Sequence, residues 1–182
     1  MRLRIYPDPI LKRRGVPVPG PRSAEVVERE LKPRLEQMFE IMDREGGIGL
    51  AAPQVGWSVR IFVTCIPVGE AQGDRRVYIN PEIIEAEGAE EAEEGCLSFP
   101  DIRGRVTRHS EVRMRAEDLQ GNVFEEVGTG LTARCWEHEI DHLDGILFIS
   151  RMTPGDRLAI ASALRELEEE YRRRNARRSS RK

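Results

Sequence analysis

The feature that most constrains the fold is a short motif near the end of the chain, where residues 138–142 read HEIDH. It lies in residues 131–143, whose pattern predicts a buried helix. In a helix, residues four apart lie on one face, so the imidazoles of His138 and His142 can bind one ion. A metal ion acidifies bound water, and a neighbouring carboxylate such as Glu139 can move its proton. The motif therefore predicts a catalytic metal site; the alternative is a helix that merely carries two histidines.

A third ligand must come from elsewhere, because catalytic metal sites usually have three protein ligands and one open position. The one remaining histidine, His109, lies in a charged segment that indicates the surface, which leaves a cysteine or a distant acid. Cys65 lies in an apolar strand pattern. Cys135 is about 10 Å along the helix axis from His142 at ~1.5 Å per residue, so we expect both cysteines in the core. Cys96, between a glycine and a nearby proline, either enters the site from a loop or is also buried core.

Three segments together resemble the motifs of one enzyme family. Residues 47–54 read GIGLAAPQ, residues 94–98 read EGCLS, and residues 138–142 read HEIDH. These segments resemble, in the same order, the GΦGΦAAPQ, EGCLS and HExDH motifs of peptide deformylases, where Φ is an apolar residue. The resemblance covers roughly residues 1–150 of the chain.

The resemblance implies a function and a set of metal ligands. Peptide deformylases remove the formyl group from the N-terminal formylmethionine of new polypeptides. By this resemblance Cys96, His138 and His142 hold the metal, and Glu139 moves the protons. The ion would be Fe²⁺, with Zn²⁺, Ni²⁺ or Co²⁺ as substitutes, since the ligand set suits iron and zinc about equally. Glu137 is a departure, because the family usually has glutamine there.

Further roles follow from the same resemblance. Gln54 and the backbone N–H of Leu97 would stabilise the oxyanion that forms on the formyl carbonyl. Gly49 would let the peptide backbone of the substrate come close. The residues expected to contact the substrate are Ile48, Gly49, Arg103, Leu131 and Cys135. The alternative for Arg103 is a purely structural role, and for Ile48, Leu131 and Cys135 it is ordinary core packing.

Two other functions compete with this interpretation. A metallopeptidase that cleaves internal amide bonds could use HExxH, but no downstream ligand is evident, and the segments around Cys96 and Gln54 argue against it. A binding protein with a purely structural metal is the second alternative. Glu139 argues against it, because a structural site needs no residue to carry protons.

The order of predicted elements indicates the fold class. Residues 23–44 predict a helix that Pro33 should kink or split, and a further long helix should begin after Thr153. Short strands are predicted between them, at 59–66, 76–80, 82–87, 104–107, 111–116 and 123–127. We therefore expect an α+β fold with mostly antiparallel sheets around a central HExxH helix and with a C-terminal helix.

Length and charge bear on domains, location and partners. The 182 residues suit one domain, with a catalytic part at 1–153 and a C-terminal helix and basic tail at 154–182. No membrane span or secretory signal is evident, so we expect a cytoplasmic protein. From Arg172 to Lys182 there are seven Lys/Arg and no acid. This tail is either a solvated terminus or a tether to RNA. The resemblance implies docking of residues 154–182 on the ribosome.

Overall fold

The strands form two antiparallel sheets. The computed structural model describes residues 1–69, 71 and 73–179. In chain order the strands are β1 Gly49–Ala51, β2 Ile61–Cys65, β3 Arg75–Glu87, β4 Glu90–Cys96, β5 Phe99–Arg108, β6 Glu111–Glu117 and β7 Val123–Thr129. One sheet has five strands in the order β1-β2-β3-β6-β7, and β4 pairs with β5 in the other. Every pairing between these strands is antiparallel, as predicted.

The described part of the chain forms five α-helical segments beside the sheets. They are α1 Ala24–Val26, α2 Lys32–Arg44, α3 Leu131–Leu143, α4 Pro154–Ala159 and α5 Ala161–Ser179. Among the described residues, no helix is both long and apolar enough to cross a lipid bilayer. The last three residues of the basic tail, 180–182, lie outside the described residues.

The five-stranded sheet packs apolar side chains against a helix on each face. Successive side chains of a strand point to opposite faces. Accordingly, Ile61 and Val63 of β2 join the core formed with α2, whereas Phe62 between them joins the core formed with α3. Helix α3 contributes Trp136 and Leu143 to that second core. The HExxH helix is therefore central, and the predicted α+β class is confirmed.

The first long helical segment is irregular just before Pro33. A π-helical turn, Val27–Leu31, joins α1 to α2. Proline has no N–H to donate, and its ring clashes with the carbonyl four residues earlier, so the regular ladder is interrupted there. The irregularity predicted at Pro33 is thus a change of helical pitch within a continuous helical segment.

The strands differ from the prediction in two places. Residues 76–80 and 82–87 were expected as separate strands, but both belong to β3, which has a register shift between Ile79 and Glu82. Pro81 is tolerated because a bulge needs no donor at that position. Strand β4, with the sequence EEAEEGC, was not predicted, because it lacks the apolar alternation on which strand prediction depends.

The C-terminal helix is divided and packs on the rest of the molecule. Thr153 caps α4 by accepting a hydrogen bond from Asp156 N at 3.2 Å, as expected, and Ile160 separates α4 from α5. Ala163, Leu164 and Leu167 pack against the core beside β5. These contacts attach α5 to the body of the protein.

Candidate active site

Helix α3 and the end of strand β4 bring three metal-ligating side chains together. Cys96 Sγ lies 3.2 Å from His142 Nε2, and the rings of His138 and His142 have centroids 5.0 Å apart. The candidate ligand atoms of the three residues all lie within 4.8 Å of one another. One thiol sulfur and two imidazole nitrogens are donors that suit zinc or iron, so the residues present fit a metal ion.

Cys96 is directed into the site by an irregularity at the end of β4. The register between β4 and β5 shifts between Gly95 and Cys96, and Cys96 then pairs with Phe99 across a two-residue turn. A bulge of this kind changes the direction of the side chain that follows it. The sequence had left Cys96 open between core and site, and the structure puts its thiol beside the two histidines.

Glu94, which sequence reasoning did not assign, holds one of the histidines. Its Oε2 lies 3.0 Å from His138 Nδ1, and it is paired with Arg108 at 3.0 Å and Arg134 at 2.7 Å. Burial alone would raise the pKa of Glu94, but hydrogen bonds from His138 and Arg108 lower it to about 2. The ionised carboxylate fixes the orientation of the His138 ring, which leaves Nε2 for a metal. The sequence did contain a signal for this role. Glu94 lies two residues before Cys96 on one strand, and residues two apart on a strand point to the same face.

The carboxylate of Glu139 is buried next to the three ligands. Glu139 is 4% exposed, and its Oε2 has no hydrogen-bond partner among the described residues. Burial raises the pKa of Glu139 to about 7. A Cβ on Gly49 would lie 2.6 Å from Glu139 Oε1 and 2.8 Å from Cys135 Sγ. The glycine therefore makes room for these two side chains, which is a different reason from the one the sequence suggested.

Gln54 is held in a fixed orientation beside the thiol. It lies in the 3-10 helix Ala52–Val55, and its Oε1 accepts a hydrogen bond from Ala51 N at 2.8 Å. Its Nε2 donates to Ser98 Oγ at 3.1 Å and lies 3.5 Å from Cys96 Sγ. The amide N–H groups of Gln54 thus point towards the residues that would surround a metal.

One cleft joins nearly all the residues that the sequence selected. Its volume is about 670 Å³, and it is lined by every selected residue except His142, which is buried. Leu131 is half exposed at the wall of the cleft. The Arg103 side chain is exposed, and its Nη1 lies 3.7 Å from Glu93 Oε1. The members that line it are Ile48, Gly49, Gln54, Cys96, Leu97, Arg103, Leu131, Cys135, His138 and Glu139.

Comparison with known proteins decides the family. The family model described as polypeptide deformylase matches residues 1–158. The chain belongs to this family. It is similar to the peptide deformylase of Acidobacterium capsulatum, with 44% identity over 90% of this chain and 92% of that one.

Solved structures of deformylases also resemble the chain. A peptide deformylase structure from Plasmodium falciparum superposes with a TM-score of 0.86 at 38% identity, covering 94% of this chain and 97% of that one. Peptide deformylase 1B of Arabidopsis thaliana gives a TM-score of 0.86 at 35% identity, covering 97% and 94%. The α+β fold predicted from the order of elements is thus the fold of the family.

Family membership establishes the reaction class. The chain is a metal-dependent hydrolase of the deformylase family, and its reaction removes the formyl group from newly made polypeptides. The expected function is confirmed at this level, and cleavage of internal amide bonds is not favoured.

Proposed function

We propose that Cys96, His138 and His142 hold one metal ion and that Glu139 moves the protons during deformylation. The observation that carries this proposal is the cluster of three ligand atoms within 4.8 Å, next to a buried Glu139 Oε2 that lacks a partner among the described residues. Buried carboxylate oxygens are normally hydrogen-bonded, so an orphaned one beside a cleft suits a group that takes up a proton.

The metal is proposed to be Fe²⁺, with Zn²⁺, Ni²⁺ or Co²⁺ as substitutes. Family resemblance supports iron, since a thiolate and two imidazoles suit several of these ions. When bound, the ion acts as a Lewis acid that acidifies water and polarises the formyl carbonyl. Glu94 contributes by fixing the His138 ring through Nδ1 at 3.0 Å.

The protons move through Glu139 in the proposed reaction. Its Oε2 accepts a proton from the attacking water and later returns it to the amine that leaves when the C–N bond breaks. Burial at 4% exposure excludes solvent that would otherwise exchange this proton. The products are formate and a polypeptide with a free amino terminus.

Gln54 and the backbone N–H of Leu97 are proposed to stabilise the oxyanion. Gln54 Oε1 is engaged by Ala51 N at 2.8 Å, which fixes its Nε2 on the side of the cleft. Leu97 follows the thiol ligand in the turn between β4 and β5. Donors that are already oriented lose little free energy to reorganisation when charge develops on the oxygen.

The cleft is proposed to accept the methionine side chain and the first peptide units of the substrate. Ile48, Leu131 and Cys135 supply apolar surface, and Gly49 leaves room at the cleft wall for the side chains of Glu139 and Cys135. Arg103, exposed at the cleft wall, is proposed to contact the substrate backbone.

A formate-release assay with metal analysis tests the proposal. The protein is purified anaerobically, its metal content is measured, and formyl-Met peptides are offered as substrates. We expect one metal per chain and stoichiometric formate, and we expect Cys96→Ala to lose both. A Cys96→Ala protein that keeps its metal and its activity would refute the ligand assignment.

We further propose that residues 154–182 bind ribosomal RNA in the cytoplasm. We also propose that they belong to the same domain as the catalytic residues 1–153. Support comes from the basic tail and from the packing of α5 on the protein body. Arg172, Arg173 and Arg174 already pair with glutamates one turn earlier, so part of their charge is neutralised.

Co-sedimentation with ribosomes tests this second proposal. The full chain should bind, and binding should weaken steeply as salt rises, because RNA contacts release counterions. A chain that ends at Glu170 should bind less. Equal and salt-insensitive binding of both chains would refute the proposal.

A further inference from the structure

Glu137, the residue that departs from the usual family motif, faces away from the cleft and holds the turn between β5 and β6. Its Oε2 accepts a hydrogen bond from His109 N at 2.9 Å, and its Oε1 lies 2.8 Å from His109 Nδ1. The Glu137 side chain is 15% exposed and that of His109 is 47% exposed. A carboxylate that binds one residue at two points fixes both its position and its orientation.

Arg108, the residue before His109, connects this turn to the metal ligands. Arg108 Nη1 donates to Asp141 Oδ2 at 2.6 Å, and Arg108 Nε donates to Glu94 Oε1 at 3.0 Å. The other oxygen of Glu94 lies 3.0 Å from His138 Nδ1. The contacts therefore form a closed ring, since His138 follows Glu137 directly in the chain.

These contacts are not backed by close packing at the turn. A cavity of about 360 Å³ separates the end of β5 from one face of α3. It is lined on one side by Thr107, Arg108 and His109 and on the other by Glu137, Ile140 and Asp141. The polar contacts across this cavity therefore help to set the spacing of the two segments, together with the hydrogen bonds from Gly130 N to Ser110 O at 2.8 Å and from Arg134 Nη1 to Val106 O at 2.9 Å.

We propose that Glu137 is a positioning residue for the metal centre: through His109 it positions Arg108, which together with Arg134 orients Glu94 and hence His138. This inference rests on the proposed metal site. Groups that do not bind the metal tune its binding by orienting the ligands. Glu94 contacts the ligand His138 directly, whereas Glu137 acts on it through His109, Arg108 and then Glu94.

Cobalt release measures this role directly. The full chain is loaded with Co²⁺, transferred to excess chelator, and followed by its visible absorption, with kcat and KM for formate release measured in parallel. Glu137→Ala should release cobalt about threefold to tenfold faster, somewhat less than loss of a direct partner of a ligand. It should also shift the d–d bands, and kcat should fall more than KM rises.

Three further variants separate positioning from general stability. His109→Ala keeps the backbone N–H bond to Glu137 Oε2, so it should accelerate release by only about twofold. Glu137→Gln keeps an acceptor oxygen and should restore release to within about twofold of the original rate. The matched control is Glu125→Ala, because Glu125 on β7 also accepts two hydrogen bonds, from Arg115 at 3.0 and 2.9 Å. Its release rate should be unchanged.

The outcomes are distinguishable. If Glu137→Ala melts at a lower temperature but releases cobalt at the original rate with the original spectrum, its role is structural and the inference is wrong. If that variant does not fold, an original release rate for His109→Ala overturns the inference equally. If the unaltered chain shows no thiolate-to-cobalt absorption, the proposed metal site fails, and this inference fails with it.

Discussion

The two sheets of this deformylase differ in their buried charged residues, although β5 also buries apolar side chains such as Phe99 and Val106. The five-stranded sheet buries apolar residues on both faces, such as Ile61, Phe62 and Met114. The two-stranded sheet of β4 and β5 carries Glu94 and Arg108, two charged side chains that are both buried. The first arrangement stabilises the fold, and the second orients the candidate metal ligands.

Energetics explains why the two tasks are separated. Burying apolar surface contributes roughly 25 cal/mol per Å², whatever the detailed geometry. Burying charged groups costs free energy that pairing at best offsets, so a buried ionic cluster adds little net stability. It does hold side chains in one arrangement, which is what a metal site requires. The apolar cores therefore contribute mainly to stability, and the ionic cluster of Glu94 and Arg108 contributes mainly to the geometry of the ligands.

The largest effect is expected from Arg108→Ala in the two-stranded sheet. Removal of this guanidinium leaves Glu94 and Asp141 buried without their shared partner, and the free energy of unfolding should fall by about 3–5 kcal/mol. Metal affinity should fall as well, because Glu94 keeps only Arg134 of its two arginine partners. Denaturant unfolding and chelator competition measure the two effects. Unchanged metal affinity would show that the ionic cluster does not orient the metal ligands.

Met114→Ala tests the other sheet. Met114 is fully buried in the core beneath α3, so its truncation should lower the free energy of unfolding by about 2–5 kcal/mol. Metal affinity of the folded protein should fall less than in Arg108→Ala, because Met114 belongs to the apolar core shared with α3 and not to the ionic cluster of Glu94 and Arg108. A large loss of metal affinity in this variant would contradict the division of tasks.

Glu94→Gln sharpens the comparison within the ionic cluster. The amide is nearly the same size but lacks the charge that holds His138 at 3.0 Å. Metal affinity should fall by about 10–100-fold, the usual consequence of altering a direct partner of a ligand. Equilibrium competition with a chelator measures it, and affinity equal to that of the original protein would show that Glu94 does not orient His138.

Glu85→Gln should have the smallest effect. Glu85 pairs with Arg113 across β3 and β6 at 2.8 Å, but both side chains are exposed. Exposed ion pairs contribute about 0–1 kcal/mol, so unfolding and metal affinity should both remain close to those of the original chain. A loss of stability similar to that of Arg108→Ala would mean that burial is not what distinguishes the two clusters.

The same division explains which elements the sequence could predict. The helix expected at residues 131–143 has those bounds in α3, and the strands expected at 111–116 and 123–127 lie within β6 and β7. Helix α3 and strand β6 have apolar patterns because residues such as Trp136 and Met114 pack in the large core, whereas on β7 Phe124 packs there and Val123 and Val127 are exposed. Strand β4 has an acidic sequence and pairs with arginines of β5, so no apolar period marks it.

Prediction of the site met a similar limit. Local spacing identified His138, Glu139 and His142, because four residues make about one helical turn. Cys96 could be assigned only through family motifs, since its approach to α3 depends on a bulge at the end of β4. Arg108 gave no local signal, because its partners, Glu94 and Asp141, are distant in the sequence.

The most direct test of the central claim is to measure formate release and metal content together in Glu139→Ala. Because Glu139 is proposed to move protons without binding the ion, the variant should retain one metal per chain. Its turnover should fall by about 10²–10⁴-fold, the usual contribution of a general acid–base group. Turnover close to that of the original protein with metal still bound would contradict the account.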